Sequence, residues 1–195
     1  MRGEIGPIER GCIKAYCGIG YQVMNKYLTG AKGSPTGVVR TAVNIAAKAL
    51  NRFEVPEESV LYRTCNLNEL HNYVDDADFG EYEKMDKAGQ TEGLAKLLDA
   101  KLTGTQTTRK TFISTTINGK FNFDDRPKVA TRFYVGEGVK GVYVACDERL
   151  SRFEGEDEYL LAPGQKSTII GVDYSKKNNG LILHVFLGDM PDAEE

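Results

Sequence analysis

The sequence predicts an α+β fold, with helices gathered in the first half of the chain and strands in the second. Three observations predict it. Two stretches before residue 52, Ile13 to Leu28 and Val38 to Asn51, carry apolar residues at helical spacing. From Thr111 onward the apolar runs become short, β-branched and aromatic, each closed by turn residues. Asn178-Asn179-Gly180 separates the last two runs and favours the positive φ of a hairpin turn. Helices followed by strands, without regular βαβ alternation, point to antiparallel pairing.

The elements follow in order. In Ile13 to Leu28, the residues Ile13, Tyr16, Cys17, Gly20, Val23, Met24, Tyr27 and Leu28 line one helical face, and Gly30 can end the helix. Val39, Ala42, Val43, Ala46, Ala47 and Leu50 form the stripe of the second helix. Ser59 to Cys65 reads as a short strand, its apolar body ended by Arg63. Such an arginine is either a surface terminus or an inward charge with an anionic partner. Asn66 to Val74 and Thr91 to Leu102 read as helical, joined by an acidic linker, Asp75 to Asp86. Gly104 to Lys110 reads as a polar loop. Strands are expected at Thr111 to Thr116, Val129 to Val135, Gly141 to Asp147, Tyr159 to Ala162, Ser167 to Asp173 and Leu181 to Leu187, with a loop over Gly119 to Lys128 and a frayed tail from Asp189.

Length and composition narrow the function. The 195 residues suit a single domain spanning 1–195. A net charge of −3 gives no basic surface for nucleic acid. No apolar run reaches membrane-spanning length, so no membrane role is expected. The N-terminal residues carry acids and lack an apolar h-region, which argues against a secretory signal peptide and leaves open another export route or a longer parent chain. Four scattered cysteines and two histidines form no local ligand pair; no metal is expected, and free buried thiols are.

The densest chemistry lies in Ser151 to Gly164, where four acids fall between Glu154 and Glu158 ahead of Tyr159-Leu160-Leu161. If a strand begins near Glu156, alternation puts Glu156 and Glu158 on one face. That stretch is either a solvated acidic turn or a paired-carboxylate site; it lacks the spacing of a calcium loop.

Taken with Arg63 after Val60-Leu61-Tyr62 and Ser114-Thr115-Thr116 after Phe112-Ile113, this order of motifs resembles the arginine–serine–glutamate class of mono-ADP-ribosyltransferases, the class of clostridial binary toxins and bacterial effectors. The first helix is also similar, with Tyr16, Tyr21, Asn25 and Leu28 meeting the family's spacing, so the resemblance spans roughly residues 13 to 187. It implies an ADP-ribosyltransferase-like fold of N-terminal helices on two mostly antiparallel β-sheets. It implies NAD as substrate and a target protein as partner, for a monomeric enzyme secreted or injected into another cell and acting in its cytosol.

The resemblance also assigns residues. Arg63 holds the NAD diphosphate, for which a guanidinium offers paired charge-assisted bonds. Glu158 faces the ribose, where positive charge builds as the nicotinamide bond breaks. Ser114 orients Glu158. Glu156 faces the acceptor; a glutamate at this position implies arginine, whose proton it can help remove. Phe153 reads the protein target. Thr115, Tyr16, Asn25 and Arg126 are further NAD-contact candidates, with only one of Tyr16, Tyr21 and Asn25 expected to touch it. The chain departs from the family in placing Thr29 where an arginine often follows the leucine; Arg126 or Lys128 could supply that phosphate contact. Thr116 and Thr111 replace a commoner serine and asparagine, and the charged region 69–101 is a candidate lid or docking surface. Two other readings fit the motifs: an enzyme that mainly hydrolyses NAD, and a non-catalytic binding module on the same fold.

Overall fold

The computed structural model describes residues 4–31, 37–119, 129–144, 150 and 157–191. They fall into two compact units, one built from Met1–Glu57, Arg109–Ile117 and Gly138–Gln165, the other from Glu58–Thr108, Asn118–Glu137 and Lys166–Glu195.

The first unit begins with α1 (Pro7–Ala15), a π-helical turn (Tyr16–Gly20), α2 (Tyr21–Leu28) and α3 (Val38–Leu50). Its strands are β3 (Ile113–Thr116), β5 (Gly141–Tyr143) and β6 (Glu158–Leu161), ordered β3-β6-β5. Both pairings are antiparallel, with Ile113 opposite Leu161 and Gly141 opposite the same leucine on the other side. Gly141 permits this close pairing, since a Cβ there would lie 2.8 Å from the Leu160 carbonyl oxygen. One core joins helices to strands: Ile13, Met24, Ala46 and Leu50 pack with Phe112 and Leu160. Burying the larger of these side chains, Ile13, Met24, Leu50, Phe112 and Leu160, stabilises by about 1.5–3 kcal/mol each. Arg52, just after α3, grips Glu9 of α1 with two bonds of 2.7 Å, and this pair holds the Glu9 carboxyl well down, at about 2.

The expected helix over Ile13–Leu28 is interrupted. Gly18 leaves helical geometry, at φ −96° and ψ −131°. Gly20 is obligatory there, because a Cβ would sit 2.4 Å from the Ala15 carbonyl oxygen. Ile13, Tyr16, Met24 and Leu28 still reach the core across the break, so apolar spacing did not reveal it, but Val23, expected on the same face, turns to solvent at 41% exposure.

The second unit carries β1 (Val60–Cys65), a 3₁₀ turn (Leu67–Asn72), α4 (Asp76–Lys87), α5 (Thr91–Leu102), β2 (Gln106–Arg109), β4 (Val129–Val135), β7 (Gln165–Ser175) and β8 (Gly180–Leu187). Its strands run β2-β7-β8-β4-β1. β1 pairs antiparallel with β4 and β7 with β8, while β4 and β8 are parallel. Alternation buries Val129, Thr131, Phe133 and Val135 of β4 beside Leu181, Leu183, Val185 and Leu187 of β8. Helix α5 packs on β8 and buries Leu94 and Leu98 completely. Asn179, at φ 45°, turns β7 into β8 as its sequence suggests.

Two expectations fail here. The acidic linker Asp75–Asp86 is mostly helix α4. Its signals were a cap and a charge order: the Asp75 side chain accepts from the Asp78 N–H at 2.9 Å, acids fill the first turn, and Lys84 and Lys87 close the last. The polar loop Gly104–Lys110 contains β2, the terminal strand of its row, where polar residues are favoured. Because α5 is packed into the scaffold, that half of region 69–101 is a structural support. No helix among the described residues is long and apolar enough to cross a membrane.

Candidate active site

The best-defined polar cluster lies at the paired ends of β3 and β6. Glu158 is the first residue of β6, so the strand starts later than Glu156, and Thr116 stands opposite Glu158 in the ladder. The Ser114 hydroxyl donates to Glu158 Oε1 at 2.7 Å. Glu158 is 8% exposed, so its carboxylate is held at the edge of solvent by a hydroxyl donor. The neighbouring residues are held by two bonds to backbone carbonyls and one to a side chain. The Thr115 hydroxyl donates to the Tyr159 carbonyl at 2.7 Å. The Ile117 N–H donates to the Asp157 carbonyl at 3.1 Å, and the Tyr143 hydroxyl to Asp157 Oδ1 at 3.0 Å. Thr115 is therefore buried and its hydroxyl hydrogen already committed to the strand.

Tyr16 and Asn25 come together at the helix break. The Asn25 amide donates to the Tyr16 hydroxyl at 3.1 Å, which donates to the Phe112 carbonyl at 3.2 Å. Tyr16 is 2% exposed, whereas Tyr21 is 48% exposed and bonded to Gln22. The Asn25 Oδ1 atom is buried without a hydrogen-bond partner.

In the other unit, Arg63 sits on β1 opposite Thr131 of β4. Its Nε lies 3.7 Å from Glu69 Oε2, an ion pair in which Arg63 is about a third exposed and Glu69 buried. Of the two readings open for Arg63, the geometry selects the one with an anionic partner. Sequence reading missed Glu69; its signal was an acid set between two leucines, Leu67 and Leu70, in a short turn. Cys65, two residues along the same face, has its thiol pushed up to about 12 by burial and then by Glu69, so it stays protonated. Glu156, Phe153, Arg126 and Lys128 lie outside the described residues. Among the described residues no cluster of His, Cys, Asp and Glu could hold a metal ion.

Helices on β3-β6-β5 and a five-stranded row with one parallel pair are the arrangement of the ADP-ribosyltransferase class of fold, as the likeness to solved structures shows. The structure is similar to that of C3stau2 from S. aureus with NAD, at TM-score 0.76 and 18% identity, covering 95% of this chain and 88% of that one. It is also similar to the Clostridium limosum C3 exoenzyme, at TM-score 0.71 and 20% identity, covering 95% and 87%. The BECa toxin of a C. perfringens binary enterotoxin, with NADH, matches at TM-score 0.68 and 23% identity over 94% of this chain but 44% of its own. At these identities the likeness shows the fold. No curated protein sequence matches the chain. The family follows from the sequence itself: the ADP-ribosyltransferase exoenzyme model matches residues 2–187, and the chain belongs to that family. It is an enzyme that takes ADP-ribose from NAD.

Proposed function

We propose that this ADP-ribosyltransferase is a mono-ADP-ribosylating toxin or effector that modifies an arginine of a target protein. The observation that carries the reading is the 2.7 Å bond from Ser114 to the nearly buried Glu158. In the proposed reaction Glu158 accepts a hydrogen bond from the ribose 2′-hydroxyl. It also faces the positive charge that builds on the ribose carbon as nicotinamide leaves. A carboxylate fixed before the reaction stabilises that charge without reorganising, which favours the transition state over the bound substrate. Ser114 keeps the carboxylate from turning away. Arg63, steadied by Glu69, pairs with the diphosphate of NAD through charge-assisted bonds. Glu156 removes a proton from the attacking guanidinium, and Phe153 meets the target protein. Support for NAD also comes from the C3stau2 and BECa structures, described with NAD and NADH. Support for a toxin role comes from the exoenzyme family and its toxin neighbours.

The test is incubation with labelled NAD and a target-cell lysate, followed by mass spectrometry of the labelled band. Label on an arginine, lost in Glu158→Ala, is the expected result. Nicotinamide release with no label on protein would make NAD hydrolysis the main activity and overturn the transferase assignment. Glu156→Ala is expected to lose transfer while keeping most NAD hydrolysis; equal loss of both would remove its acceptor role.

A further inference from the structure

The Tyr16–Asn25 contact cannot exist on a straight helix. Residues nine apart lie about 13 Å apart along the axis and two and a half turns round, on opposite faces. The π-helical turn at Tyr16–Gly20 removes that separation, with Gly18 out of helical geometry and Gly20 pressed against the Ala15 carbonyl. It lets Asn25 of α2 reach back to the Tyr16 hydroxyl. That hydroxyl reaches on to the carbonyl of Phe112, one residue ahead of β3 and two ahead of Ser114. The Tyr16 and Phe112 rings also pack, centroids 4.9 Å apart, so the link has both a polar and an apolar part. Phe112, Tyr16 and Met24 share one core, which leaves the linkage little slack.

We infer that Tyr16 is a positioning residue for the transfer reaction: the broken helix, through Tyr16, sets where β3 begins and so the angle at which Ser114 meets Glu158. The inference rests on the proposed roles of Ser114 and Glu158. It gives Tyr16 a different job from NAD contact, because the residue is 2% exposed and its hydroxyl is engaged on both sides. A hydroxyl–carboxylate bond of 2.7 Å is sensitive to displacements well under an ångström, so a carbonyl anchor two residues upstream bears directly on it. The kink is the device that makes the anchor possible, which gives a π-turn inside an N-terminal helix a catalytic purpose.

The test is steady-state nicotinamide release from NAD by Tyr16→Phe, Ser114→Ala and the double variant. Tyr16→Phe keeps the ring packing and removes only the hydroxyl. It is expected to lower kcat about tenfold and leave KM for NAD within twofold. In the Ser114→Ala background the same change is expected to lower kcat by less than twofold, because its route to Glu158 is already cut. Asn25→Asp provides a second route: its carboxylate draws the Tyr16 proton away from Phe112, so kcat falls as in Tyr16→Phe. A rise in KM with kcat intact would make Tyr16 an NAD contact and overturn the inference. So would unchanged kcat in Tyr16→Phe or Asn25→Asp, or a full tenfold loss on top of Ser114→Ala. If Ser114→Ala itself keeps full kcat, the failure lies in the proposed role of Ser114 instead.

Discussion

The two charged clusters of this enzyme differ in how deeply their functional side chains are buried. Glu158 sits at a strand end, 8% exposed, with a hydroxyl 2.7 Å from its carboxylate and hydrogen bonds holding the backbone carbonyls of the residues to either side. Arg63 sits on a strand too, but about a third of its side chain meets solvent, with Glu69 Oε2 3.7 Å from its Nε. Bond breaking at a ribose carbon needs a carboxylate already in place, because reorganisation during the reaction raises the barrier. Holding a diphosphate is a different task. A long guanidinium, about a third of it in solvent, can adjust to two phosphates as they arrive. Under the proposed roles of Glu158 and Arg63 the contrast separates chemistry from binding, and mutations at the two clusters should divide accordingly.

The largest expected effect belongs to the rigid cluster. Glu158→Gln keeps size and packing but removes the charge, and kcat for nicotinamide release should fall by about 10²–10³-fold or more. Arg63→Ala should act on binding: losing hydrogen bonds to a charged group removes about 1.5–3 kcal/mol, or roughly ten- to hundredfold in NAD affinity. Calorimetry with NAD checks this, and unchanged affinity would erase the distinction between the clusters. A smaller effect is expected in the scaffold of the five-stranded unit. Asp99 of α5 accepts the Val172 N–H at 2.8 Å, beside the irregularity in β7 between Ile169 and Gly171. Asp99→Ala leaves that N–H without its partner and should lower unfolding free energy by about 1–3 kcal/mol in a denaturant titration, with KM for NAD unchanged.

The smallest effect is expected in the helices of the other unit. Glu9 is held down at about 2 by the Arg52 guanidinium, against an unfolded value of 4.5. A depressed carboxyl stabilises the fold above its unfolded value, and that contribution disappears as pH falls through the folded one. The pair is partly exposed, at 36% and 25%, so solvent screening brings its worth to about 1 kcal/mol. Glu9→Gln should therefore melt lower than the parent at neutral pH, and the gap should close between about pH 4.5 and 2. A gap that stays constant through that window would remove the ion pair from the account.

Much of this was legible from residues alone. Strand β4, helix α5 and the turn at Asn179 were readable because periodicity and turn chemistry agreed with tertiary packing. The pairing of Ser114 with Glu158 was legible only through motif order, since 44 residues separate them and no local pattern links distant strands. The helix break was not readable, because Ile13, Tyr16, Met24 and Leu28 reach the core on both sides of it, although the shift in phase turns Val23 out to solvent. Helix α4 was masked by its acids, which suit a solvated face, yet its cap and terminal charges were present. Glu69 was hidden because a buried acid is identified by its partner, and Arg63 lies six residues back across a strand end.

The central claim is that the serine-held Glu158 drives cleavage of the nicotinamide–ribose bond while Arg63 serves binding. Nicotinamide release at saturating NAD, measured for the parent, Glu158→Gln and Arg63→Ala, tests it most directly, because saturation removes differences in affinity. The expected result is a kcat that collapses in Glu158→Gln and stays within a few-fold of the parent in Arg63→Ala. A Glu158→Gln enzyme that turns over NAD at the parent rate would contradict it.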